Sequence, residues 1–284
     1  VIVLCGFLVT ISRQAVAQSQ PWRSASAAEA PSKSKGMAAV ESAGREGRYL
    51  FVFFWKENSK QTSAMHGVFQ SAMKKWAESA DSISIQITDA NEKPIVDKLG
   101  VSRAPMPLVL AMAPNGAVTK GWPIRFPEAQ LKEGVVSHST AACMKALQDK
   151  KLVLLCVQNE QTQLSQVAWQ GVQAFTADGR FAASTEIVAV DPRDQADAKL
   201  LSDLRVDPRT SQAVTVLLAP PGAPIATFPG AVTKDQIVAK VAAAQSGPCA
   251  AGQCGPGGCN TGFGDRAPGR RCSGSRLSLR GCGC

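Results

Sequence analysis

The chain has 284 residues, enough for about two domains of ordinary size. Hydrophobic residues make up 45% and charged residues 19%, so packed cores are attainable and wholesale disorder is excluded. The net charge of +9 favours acidic partners in general, and with only two His, His66 and His138, a His-based metal site or proton relay has little material.

Residues 1–11 read VIVLCGFLVTI, an apolar run followed by Ser12-Arg13-Gln14 and then Ala15-Val16-Ala17. An apolar stretch of that length before A-x-A is the pattern of a secretory signal peptide, and it falls short of the ~20 apolar residues a membrane span needs. The other reading is a buried strand. Val1 stands where an initiator Met is expected, so residues 1–17 are read as a signal peptide without its basic start. The mature chain is expected to begin near Gln18, in the periplasm or cell envelope, with no membrane span. Residues 18–36, rich in Ser, Ala, Pro and Lys, read as a linker.

Residues 37–140 read as one α/β domain. A short helix-compatible stretch, Met37 to Gly44, precedes the aromatic run Tyr49 to Trp55, which suits a strand buried on both faces. Met65, Val68, Phe69, Ala72, Met73 and Trp76 recur at helical spacing. Ile83, Ile85 and Ile87 alternate as a strand ending at Asp89, and Pro94 to Leu99 suits a short helix. Pro107 to Ala113 is a further strand, Pro114-Asn115-Gly116 turns a hairpin, and Pro127 to Val136 predicts a closing helix. The same order recurs in residues 141–245: strand from Lys151 to Cys156, helix from Leu164 to Phe175, strand from Thr185 to Asp191, helix from Ala196 to Leu204, strand from Ala213 to Ala219, turn at Pro220-Pro221-Gly222 and helix from Thr233 to Ala244. Asp89 with Asp191, Asn58 with Asn159 and Gly116 with Gly222 mark two copies of one domain.

Phe54-Trp55-Lys56-Glu57-Asn58-Ser59-Lys60-Gln61-Thr62, after a buried strand and opening a helix, resembles the active-site turn of the thioredoxin fold. Val101-Ser-Arg-Ala-Pro-Met106-Pro107, before a strand and a Pro-Asn-Gly turn, resembles that family's cis-proline strand. The resemblance implies two tandem thioredoxin-like domains, each a central mixed sheet flanked by helices, with a cis bond at Met106-Pro107. It also shows departures. Ser59 and Thr62 occupy the two C-x-x-C positions, and Phe53 replaces the family's buried acid. Disulfide exchange needs an attacking thiolate and a resolving thiol, so no catalytic residue is expected at this turn. In the second copy Cys156 aligns with Trp55 rather than with a redox position, and Ala213 stands where the first has Pro107.

Two readings of the remaining surface stay open. Trp55, Ser59, Lys60, Gln61, Thr62, Met106 and Pro107 could line a retained groove for extended peptide, as the resemblance implies, or Trp55 and Pro107 could merely hold the fold. His66 is expected off the apolar face of its helix, as a solvated side chain. The pairs Lys74-Lys75 and Lys150-Lys151 lack aromatic interleaving and read as solvated faces, so nucleic-acid binding is not expected.

From Ser246 the composition shifts to Gly, Pro, Cys and Arg. Cys249, Cys254, Cys259, Cys272, Cys282 and Cys284, six of the nine cysteines, lie here. They could hold a soft ion such as Cu(I) or Zn²⁺, pair as disulfides, or belong to a disordered tail whose reading frame is shifted after Cys259. The domains themselves imply no cofactor. The expected function is an exported, redox-inactive module that binds a protein or peptide partner in the envelope or serves as a scaffold. The alternative is a thiol-disulfide or soft-metal handling protein working through the tail cysteines.

Overall fold

A computed structural model describes residues 34–246. The segments read as a signal peptide (1–17), most of the linker (18–36) and nearly all of the Cys/Gly-rich tail (246–284) lie outside the described residues. Two compact units divide between Val135 and Val136.

The first unit contains α1 (Lys35–Glu46), β1 (Tyr49–Trp55), α2 (Lys60–Lys75), β2 (Ala80–Gln86), α3 (Lys93–Leu99), β3 (Leu108–Met112), β4 (Val118–Pro123) and α4 (Glu128–Leu131). Its four strands take the order β2-β1-β3-β4, with β1 parallel to β2 and antiparallel to β3, and β4 antiparallel to β3. The aromatic run is the reason β1 lies inside the sheet. Phe51 and Phe53 enter the cluster holding Phe69, Ala72 and Met73 of α2, while Leu50, Val52 and Phe54 enter the opposite cluster with Ile95 and Val96 of α3. Burying each such side chain stabilises the fold by roughly 1.5–3 kcal/mol. The closing helix expected over Pro127 to Val136 is a single turn, α4, followed by a 3-10 turn at Lys132–Gly134. Gly134 sits so close to Ala111 and Trp122 that an added Cβ would lie 2.5 and 2.7 Å from them, so chain packing against the sheet replaces a longer helix.

The second unit contains α5 (His138–Gln148), β5 (Leu152–Val157), α6 (Ser165–Thr176), β6 (Thr185–Val190), α7 (Ala198–Asp203), β7 (Val214–Ala219), β8 (Ala223–Pro229) and α8 (Lys234–Gln245). Its sheet order, β6-β5-β7-β8, repeats the first with the same pattern of parallel and antiparallel pairs. Helix α5 starts before residue 141, where the second domain was expected to open, because Ser137 caps it by accepting from the Thr140 N–H at 3.1 Å. Likewise α1 reaches back into the expected linker.

A shared device anchors both first helices. Glu92, 5% exposed, accepts from Ser34 Oγ (2.7 Å) and from the amides of Lys35 (2.9 Å) and Gly36 (3.0 Å) at the α1 N-terminus. Asp197, 2% exposed, accepts from Ser137 Oγ and Ser139 Oγ at the α5 N-terminus. Each carboxylate is placed where helix amides lack partners and the helix dipole favours negative charge. Register also corrects two expected correspondences. Asp89 and Asp194 each cap a 3-10 turn two residues ahead, so Asp194 rather than Asp191 is the counterpart of Asp89. Counting on from Val157, which pairs with Val214 as Phe54 pairs with Leu108, brings Asn58 to Gln161 rather than Asn159.

Two helical glycines should respond in opposite directions to substitution. A Cβ on Gly171 in α6 would fall 1.8 Å from the Val232 carbonyl oxygen, whereas nothing lies within 4 Å of a Cβ on Gly67 in α2. Gly171→Ala is expected to destabilise the second domain by about 2–3 kcal/mol, a shift of ~10 °C or more in its melting. Gly67→Ala is expected to stabilise the first domain by about 0.5–1 kcal/mol. Native-state hydrogen exchange of β7 and β3 amides would read the two domains separately.

Candidate functional site

Strand β1 delivers its last residue, Trp55, half-buried, to the edge of the sheet; its carbonyl accepts from the Ile87 N–H at 2.9 Å. Three exposed residues follow, Lys56, Glu57 and Asn58, and Ser59 then caps α2. Ser59 Oγ accepts from the Thr62 N–H at 3.1 Å and lies 3.0 Å from Thr62 Oγ1. A serine at this cap is what the backbone needs locally, since it satisfies an amide that has no partner within the helix. The two side chains at the expected C-x-x-C positions are therefore joined to each other, hydroxyl to hydroxyl. Lys60 is exposed, and Gln61 donates through Nε2 to the Ile124 carbonyl at 3.2 Å.

The Met106-Pro107 bond is cis, as the resemblance implies; a second cis bond, Pro220-Pro221, was not anticipated. The buried Pro107 offers its carbonyl to the Ile124 N–H at 2.7 Å. Trp55 packs against the α2 side of the sheet, whereas Met106 packs, half-buried, against the α1 and α3 side. The expected groove residues thus belong to two different cores. Backbone, not a common apolar floor, is what Met106 presents. Its N–H and C=O make no hydrogen bond among the described residues.

The second domain differs at each of these places. Phe53 pairs with Val109 and Cys156 with Thr215, so Cys156 stands at the position of Phe53 and Gln158 at that of Trp55. The expected match of Cys156 with Trp55 is corrected by this register. Cys156 faces the α6 core, with Leu154, Phe175 and Leu217. Counting on by the same register places Thr162 at Ser59 and Ser165 at Thr62, and their hydroxyl oxygens lie 2.6 Å apart. Both turns hence carry a hydroxyl pair where the family has thiols. Here, however, the chain folds onto its own edge. The Gln163 N–H donates to the Ser211 carbonyl (2.8 Å) and the Ala213 N–H donates to the Gln163 carbonyl (2.9 Å), a parallel bridge beside Gln212, the counterpart of Met106. Leu164 takes a left-handed φ of 62° directly after it, a conformation disfavoured for a branched side chain. Pro107, having no N–H, cannot make the equivalent bridge.

Sequence reasoning missed His66. It is half-buried, its ring centroid 5.0 Å from that of Phe53, and its Nε2 lies 2.9 Å from Ser84 Oγ on β2. Phe53, Trp55, Asn58, Thr62, Ser63, His66 and Ser84 line a cavity of about 390 Å³. Only the pairing of β1 with β2 places Ser84 opposite Phe53, so no local signal could have joined them.

The strand order, the turn into α2 and the cis bond before β3 make each interpretation of the sequence concrete. Both domains are thioredoxin-like in fold. No family model matches the chain, and no curated protein matches it. Among solved structures, thioredoxin O2 of Arabidopsis thaliana in its oxidised state is similar at 16% identity, over 35% of this chain and 84% of that one, with a TM-score of 0.29. The germline-specific thioredoxin Deadhead of Drosophila melanogaster is similar at 13% identity over 34% and 85%, with a TM-score of 0.29. The first two thioredoxin domains of Saccharomyces cerevisiae Eps1p match at 8% identity over 74% of this chain and 97% of that one, with a TM-score of 0.28. At such identities the likeness concerns the fold alone.

The two described cysteines are both buried. Burial, by penalising the thiolate, pushes the Cys156 thiol up to about 12 and the Cys143 thiol up to about 11. At pH 8 the thiolate fractions are then of order 10⁻⁴ and 10⁻³. Peptide mapping after iodoacetamide treatment at pH 8 should find both sites unmodified in the folded chain and fully alkylated in guanidinium. Labelling of Cys156 without denaturant would show that the β5 core opens readily.

Proposed function

We propose that this is an exported binding module whose first domain holds extended peptide by its backbone, and that neither domain exchanges disulfides. Export rests on the apolar run and A-x-A of residues 1–17. The absence of redox chemistry rests on the hydroxyl pairs Ser59–Thr62 and Thr162–Ser165. A serine or threonine hydroxyl cannot form the mixed disulfide that exchange requires. Among the described residues, Cys156 is the only thiol near either turn, and it is buried in the α6 core and kept in its thiol form.

The observation that carries peptide binding is the difference between the two domains at one edge. In the second domain the Thr210 hydroxyl accepts from the Gln212 N–H (3.3 Å) and donates to the Gln212 carbonyl (2.7 Å), with Gln163 bridging the residues on either side; in the first, Met106, the counterpart of Gln212, has unbonded N–H and C=O groups beside the α2 turn. An open backbone edge recognises an extended chain by adding it as a strand, whatever its side chains. The interface would be small, with affinity in the ~10 μM to 1 mM range.

Two measurements test this reading. Insulin reduction by the full chain, in the presence of dithiothreitol, should not exceed the rate without protein. An extended, unfolded peptide should shift the amide NMR signals of Met106 and of Ser59 to Thr62, and a copy N-methylated at alternate residues should bind at least tenfold more weakly. Gln212 and Thr162 to Ser165 should not move. Equal shifts in both domains, or none in the first, would remove the peptide reading.

A further inference from the structure

We infer that the cavity between α2 and β2 of the first domain is a binding site for a small uncharged aromatic alcohol, a ligand of phenol class. The cavity shares Trp55 and Thr62 with the turn beside the peptide edge. β1 lies between β2, which carries Ser84, and β3, which Met106 and Pro107 precede, so the Ser84 side of the cavity lies across β1 from Met106.

The lining sets the ligand's chemistry. Trp55 and the His66 ring supply the aromatic surface, over a buried Phe53 tilted 54° to His66 and 36° to Phe69. Offset and tilted ring contacts are the arrangement aromatic groups prefer, so a further ring is accommodated among them. None of the seven lining residues is Asp, Glu, Lys or Arg. A charged ligand would find no counter-charge in the lining, which favours a neutral one. At about 390 Å³ the cavity lies near the lower end of ligand sites and suits a single substituted ring.

The polar groups narrow the choice further. Ser63 Oγ donates to Asn58 Oδ1 (3.0 Å), Thr62 Oγ1 pairs with Ser59 Oγ (3.0 Å), and His66 Nε2 pairs with Ser84 Oγ (2.9 Å). Left over are the Asn58 amide N–H groups, the other nitrogen of the His66 ring and the unused lone pairs of the hydroxyls. One ligand hydroxyl, which both donates and accepts, can be paired from that set. A sugar would bring a hydroxyl on nearly every carbon and set several of them against the apolar face of Trp55.

The repeat argues that this constellation is not demanded by the fold. Register places Cys156 at Phe53 and Ala189 at Ser84, since Phe53 pairs with Ser84 and Cys156 with Ala189. Counting along α6 places Trp169 at His66. The second domain packs with Trp169 against its core in place of the His–Ser pair, so the fold does not require that pair.

The test is an NMR titration of the full chain with p-cresol, toluene and methyl glucoside, following the Trp55 indole N–H and the His66 ring protons. Saturable shifts are expected with p-cresol at about millimolar affinity, given its few heavy atoms. Toluene, lacking the hydroxyl, should bind about tenfold more weakly, the glucoside should not saturate, and the Trp169 indole should stay in place. Ser84→Val should weaken p-cresol about tenfold, and Ser63→Trp, on an exposed helix position beside the cavity, should abolish its binding. The three-ligand comparison uses wild-type protein and stands even where a variant fails to fold. No saturable shift with p-cresol, toluene equal to it, or tighter binding of the glucoside would overturn the proposal.

Discussion

A strand with large side chains on both faces has no stable place except between two apolar layers. β1 is such a strand. Phe51 and Phe53 on one face and Leu50, Val52 and Phe54 on the other are each 2% exposed or less. Once β1 is central, helices must cover both faces, its neighbours must pair on both sides, and its carboxyl end must emerge at a turn into α2. Every residue of the candidate sites is placed by that constraint. Trp55 and Ser59 follow from where β1 ends, Ser84 from the strand that pairs on one side, and Pro107 from the strand that pairs on the other.

The two domains act as internal controls for each other. Features present in both are those that folding needs: the buried carboxylate at the first helix, the central apolar strand, the hairpin, and a side-chain oxygen at the start of the second helix. Features present in one only are candidates for function. The His66–Ser84 contact and the open Met106 backbone are confined to the first domain, whereas in the second the Thr210 hydroxyl meets the Gln212 backbone and Gln163 bridges Ser211 and Ala213. The bridge puts Leu164 into a left-handed conformation, a local cost of order 1 kcal/mol that its two hydrogen bonds offset.

Replacing thiols by hydroxyls changes what a helix N-terminus can do. There, the amides and dipole would favour a thiolate and so activate it as a nucleophile. A hydroxyl in the same place is not ionised at neutral pH and serves the helix instead, with Ser59 accepting from the Thr62 amide. The same geometry that would prepare redox chemistry serves capping and a hydrogen-bonded pair.

Local periodicity determined most of the architecture. The aromatic run, the spacing of Met65 to Trp76 and the repeated order of elements place the strands, the main helices and the two-domain plan, because each pattern reflects burial of its own segment. Where pattern was weak, it misled. The stretch at His138–Gln148 shows little apolar contrast, and its helix is defined by the Ser137 cap and by packing on β5 and β6. The match of Cys156 to Trp55 failed because counting residues cannot see register, and a two-residue slip keeps the same face of the strand. His66 looked solvated because its helix face is judged against its own neighbours. Its partners, Phe53 and Ser84, are on two strands, β1 and β2. Which residue types occupy the turn was legible in the sequence; which of them meet was decided by strand pairing, since contact across a sheet depends on register that no single segment encodes.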